Sequence, residues 1–106
     1  MFSHWNGSDT VIPEKIVRNG FVFYPNTGLA EFSGIRKSFY NTAAQTILGM
    51  LLANYPSSTP ADLIQEELPH RPVGKLMADF KASIRAVWPQ IRVERTQKGY
   101  RMLLMQ

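Results

Sequence analysis

Cysteine is absent from the 106 residues. That excludes a disulfide framework, a thiolate nucleophile and cysteine-ligated metal, and it fits a reducing compartment. Histidine is nearly absent too: His4 and His70 stand far apart without a clustered carboxylate set, so no metal centre is expected. No apolar run approaches the roughly 18 residues that a membrane span needs. The opening MFSHWNGSDT has no basic region followed by an apolar one, so it does not read as a secretory signal. A cytoplasmic protein is expected. There is no phosphate-cradling glycine loop. Ser57, Ser58 and Thr59 read as turn and cap residues, because no base is paired with them in a recognisable pattern. Neither enzyme nor cofactor is expected, and the chain holds no internal repeat or low-complexity segment.

What is present suits one domain. The apolar fraction of 44% and the charged fraction of 19% are ordinary for a globular chain that buries one modest core. Acid is scarce towards the end. Residues 1–60 hold four Lys/Arg against three Asp/Glu, whereas residues 71–106 hold eight Lys/Arg against only Asp79 and Glu94. The last third therefore carries an excess of six positive charges, which points to nucleic acid or another polyanion. A solvated basic surface is the alternative.

The periodicity predicts an arm over 1–15 and a folded domain over 16–106. IVRNGFVFYPNTGLAEFSGIRKSFY alternates apolar runs with Asn19-Gly20, Pro25-Asn26-Thr27-Gly28 and Ser33-Gly34. Those are the signals of a meander of three or four short antiparallel strands. A helix follows from Thr42, with Gln45 three residues on as in a capping box, and ends at Tyr55-Pro56. Thr59-Pro60-Ala61-Asp62 reads as a capped start to a second helix that runs to Leu68. A third runs from near Pro72 to Trp88, with Val73, Leu76, Met77, Phe80, Ile84 and Val87 as its apolar stripe. Phe21, Phe23, Phe39, Phe80 and Trp88 are expected in the core. Strands over 91–96 and 100–105 close the chain as a basic hairpin. Only Pro69-His70-Arg71 separates helices two and three, a spacing suited to a helix-turn-helix, and the hairpin falls where a winged helix carries its wing.

These segments resemble the DNA-binding effector domain of OmpR/PhoB-type response regulators over about residues 16–104. FVFYPNTGLAEFSGIRKSFYNT is similar to the family's N-terminal strands and the entry to its first helix. TAAQTILGMLL is similar to its Thr-x-x-Glu helix, with Gln45 in place of the Glu. YPSSTPADLI is similar to its short connection and capped second helix. RPVGKLMADFKASI lies where the recognition helix belongs, and KGYRML matches the ending of the wing. The resemblance implies an α+β winged helix-turn-helix: N-terminal antiparallel strands, three helices and a C-terminal hairpin wing. It also implies a bacterial or phage transcription regulator at the nucleoid. Such a protein binds double-stranded DNA sequence-specifically, in tandem or as a dimer, and touches RNA polymerase or another regulator. No receiver domain lies within these 106 residues.

The third helix departs from the family pattern. With Val73 as the buried reference and about 100° per residue, the outward face holds Gly74, Lys75, Ala78, Asp79, Ala82, Arg85 and Ala86, with Arg71 leading in. The family often has basic residues where Asp79 and Ala82 stand. Asp79 is repelled by phosphates yet can accept from cytosine N4, and alanines can meet thymine methyls. The expected DNA contacts are Arg71, Lys75, Ala78, Asp79, Lys81, Ala82 and Arg85 on the helix and Arg95, Thr96, Lys98 and Arg101 on the hairpin. Lys81, towards the flank, suits a phosphate better than a base. The alternative is a winged-helix interaction module that regulates another transcription factor or polymerase without base readout.

Overall fold

The computed structural model describes residues 14–104. Apart from Glu14 and Lys15, the arm expected over 1–15 lies outside the described residues, as do His4 and Trp5. Four short strands come first: β1 (Ile16–Arg18), β2 (Phe21–Tyr24), β3 (Leu29–Phe32) and β4 (Ile35–Ser38). They form one antiparallel meander in the order β1-β2-β3-β4. Two of its turns have two residues each, with Arg18 opposite Phe21 and Phe32 opposite Ile35. Both central residues take positive φ in each: 47° and 87° at Asn19-Gly20, 51° and 77° at Ser33-Gly34. This is the mirror-image turn whose twist matches that of the strands. Alternation then puts Ile16, Phe21, Phe23, Ala30 and Phe32 on one buried face.

Helix α1 (Thr42–Asn54) packs on that face and is buried along Thr46–Leu52. Its cap differs from the expectation. Asn41, not Thr42, is the N-cap and accepts from the Ala43 N–H at 2.8 Å. Gln45 donates to the Phe39 carbonyl instead of completing a capping box. The predicted period was right, but Asn41 stands one residue earlier and its carboxamide reaches the same backbone groups.

The second cap also differs. Thr59–Pro60 is a short strand, β5, and helix α2 (Ala61–Glu67) starts only after it, without a side-chain cap. Thr59 is fully buried. Its hydroxyl donates to the Met50 carbonyl at 3.1 Å and accepts from the Asn54 amide at 3.0 Å. Helix α3 (Val73–Val87) and strands β6 (Arg92–Arg95) and β7 (Gly99–Leu103) complete the chain. The second sheet has the order β5-β7-β6, so the closing hairpin is tied to the entry of α2. Gly99 sits opposite Pro60. A Cβ there would run into the Thr59 carbonyl oxygen and come within 2.7 Å of the Ala61 nitrogen. Glycine is thus required by a close backbone approach, beyond its place after a turn.

Trp88 joins the two halves. It is fully buried, its ring meets Phe21 edge-on at 5.3 Å, and its indole N–H donates to the Phe32 carbonyl at 3.0 Å. The fold is α+β, with three helices between two antiparallel sheets around one core.

Candidate functional site

Helix α3 is buried along one side only. Leu76, Met77, Phe80 and Ile84 face the core. Gly74, Lys75, Ala78, Asp79, Ala82, Arg85 and Ala86 are all exposed, as is Lys81 at the flank. The outward face derived from helical steps is therefore the one presented to solvent. Nothing else in the described chain covers these positions.

The start of α3 is set from α2. Gln65 donates from Nε2 to the Leu68 carbonyl at 2.9 Å and the Arg71 carbonyl at 2.7 Å. Its Oε1 accepts from the Val73 N–H at 2.9 Å. One side chain thereby gathers both ends of the 68–72 connection and satisfies an otherwise unpartnered donor at the helix start. Sequence reading missed Gln65. Its position in a short amphipathic helix gave no sign of it, because the three partners meet only when the connection folds back. His70, exposed in the same connection, makes no side-chain hydrogen bond among the described residues.

The two acids of the basic third each take one arginine. Asp79 accepts from Arg71 Nη2 at 2.8 Å. Glu94 stands directly across the hairpin from Arg101, which reaches its Oε1 from Nε at 2.7 Å and from Nη2 at 2.6 Å. Arg71 and Arg101, expected to be free for a ligand, are thus held internally. Thr96 is turned inward as well: its hydroxyl accepts from the Gly99 N–H at 3.1 Å and lies 2.8 Å from the Ser58 hydroxyl. Arg95 lies over the Tyr100 ring at 5.0 Å and donates to the phenolic oxygen at 2.8 Å. Its charge stays uncompensated.

Six cations of this third remain without an acidic partner among the described residues: Lys75, Lys81, Arg85, Arg92, Arg95 and Lys98. Four of them, Lys81, Arg85, Arg92 and Arg95, line one groove of about 460 Å³ between α3 and β6. Arg92 was not among the residues singled out from the sequence. Strand alternation could have found it, since Val93 is buried and its neighbour must face outward. Lys75 near the start of α3 and Lys98 at the hairpin tip do not line this groove.

A second cleft of about 300 Å³ lies between the β4–α1 connection and α3, with Tyr40, Ala44, Ile47, Leu76 and Phe80 in its wall and the Arg71–Asp79 pair at the same site. Tyr40 is 89% exposed.

No family model matches this chain, and no curated protein or solved structure matches it either. Among the described residues no helix is long and apolar enough to cross a membrane. Nor do three or more metal-ligating side chains gather among them.

Proposed function

We propose that this chain is a winged-helix protein of the OmpR/PhoB type. On this reading it binds double-stranded DNA sequence-specifically and regulates transcription at the nucleoid. Helix α3 enters the major groove as the second helix of a helix-turn-helix, and the β6–β7 hairpin is the wing on the adjacent backbone or minor groove. The observation that carries the reading is the open face of α3. Over its 15 residues, about 22 Å of helix, every outward position is exposed. The small residues Gly74, Ala78, Ala82 and Ala86 are interspersed there with Lys75, Arg85 and the Arg71-paired Asp79. Small side chains let the helix axis come close to base edges, and the cations reach the phosphates on either side.

Selection of bound duplexes from a random library tests this. A recurring sequence motif is the expected result, and its loss on scrambling should weaken binding measured by fluorescence anisotropy. Recovery of unselected sequence at every round overturns base readout.

A second reading is a protein-interaction module of the same fold. The cleft beside Tyr40 favours it, since a half-apolar groove next to a neutralised ion pair suits a protein surface better than a polyphosphate. Retention on random duplex that is negligible even at low salt decides for this reading.

A further inference from the structure

We propose that the groove between α3 and β6 seats the sugar–phosphate backbone of one DNA strand and supplies most of the affinity. The hairpin tip and the start of α3 contribute less. The inference rests on the reading of the chain as a duplex-binding protein and says where on it the polyanion is held.

The charge arrangement is the first argument. Lys81 and Arg85 are four residues apart on α3, so they share one helix face about 6 Å apart along the axis. Arg92 and Arg95 reach the same groove from β6, although strand alternation sends them to opposite faces and the Arg95 head lies over Tyr100. Like charges four residues apart destabilise a helix. No acid relieves them. Glu94 is the one carboxylate in the groove lining, and it is neutralised by Arg101, which does not line the groove. Placing that arginine outside cancels the only negative charge of the lining, so the concavity is net positive. A concave surface of one sign focuses the field and concentrates counter-ions there.

The chemistry of the lining chooses the polyanion. Besides its charges the groove offers Pro89, Ile91 and Val93 and no aromatic ring. Proteins that hold single strands stack bases on aromatic side chains, so this groove has nothing for an unpaired base. A duplex keeps its bases inside and presents only backbone. The groove also runs beside the exposed α3 face, so a strand seated in it leaves that face directed at the neighbouring major groove. By contrast, the middle of the open face bears Asp79, closed by Arg71.

The test uses the full chain and a random-sequence duplex, with binding measured by anisotropy between about 50 and 200 mM salt. Each phosphate contact contributes a slope of about 0.9. Lys81→Ala/Arg85→Ala/Arg92→Ala should therefore flatten the slope by two to three units and weaken binding by about two orders of magnitude near 0.1 M salt. Lys75→Ala/Lys98→Ala, which removes two exposed cations outside the groove, should change it by about one unit or less. Lys81→Arg/Arg85→Lys/Arg92→Lys keeps every charge and should bind like the parent, which separates lost contacts from a damaged fold. If the control pair costs more affinity than the groove triple, the groove assignment is overturned and duplex binding stands. If the triple variant loses single-stranded RNA but keeps duplex, the assignment is likewise overturned. If the parent holds no duplex at the lowest salt, both readings fall together.

Discussion

Asp79→Ala is the sharpest single perturbation, because Asp79 is the only carboxylate on the open face of α3 and the structure gives it a partner. Its side chain is 66% exposed and that of Arg71 is 49% exposed. A pair this open is worth at most about 1 kcal/mol of stability, so the variant should melt within a few degrees of the parent. The effect on binding is larger and has the opposite sign. Removing the carboxylate frees the Arg71 guanidinium for one further phosphate. One added contact raises the salt slope by about 0.9, which near 0.1 M salt is roughly an eightfold gain in affinity. Because Asp79 acts through charge while Arg71 holds it, binding to a selected site and to scrambled duplex should rise together. The assay is anisotropy on both duplexes across a salt series, with Arg71→Ala and the double variant completing a cycle. Arg71→Ala should weaken binding by exposing an unneutralised carboxylate, and the double variant should return close to the parent. An unchanged slope in Asp79→Ala refutes the release of Arg71. A tenfold loss of discrimination at unchanged random affinity refutes it differently, since Asp79 would then be reading a base.

Two further substitutions probe the frame that carries this face. Gln65→Ala removes all three hydrogen bonds that set the 68–72 connection; it should cost about 1–3 kcal/mol in urea unfolding and weaken duplex binding without altering the salt slope, because no charge is lost. Trp88→Phe strips the buried indole donor from the Phe32 carbonyl and leaves unfilled volume, so a loss of about 2–3 kcal/mol is expected, seen as a fall in Tm of about 10 °C or more; a shift of only a degree or two would mean that the strand–helix junction at Trp88 is not a main source of stability.

Local pattern carried most of the fold. Asn19-Gly20 and Ser33-Gly34 mark hairpin turns because their residues tolerate positive φ, and the apolar stripe of α3 marks its outward face because 3.6 residues complete a turn. Both signals act between near neighbours, so they are legible in a chain read alone. The details that went otherwise depended on distant partners. Thr59 looks like a cap until β7 arrives and draws it into a sheet, where its hydroxyl turns to Met50. Gln65 looks like a solvated helix residue until the connection folds over it.

The candidate site divides along the same line. Composition and helical periodicity give the last third its surplus of six positive charges and the outward side of α3, because both are properties of the chain order. Which of those charges are available depends on how the chain folds back on itself. Glu94 and Arg101 are seven residues apart yet lie directly across a hairpin, and Arg71 reaches Asp79 only because the α2–α3 connection bends it back over the helix. Lys81, Arg85, Arg92 and Arg95 come from two elements that meet at one groove. Coulomb energy depends on distance in space and on burial, neither of which is written in sequence separation.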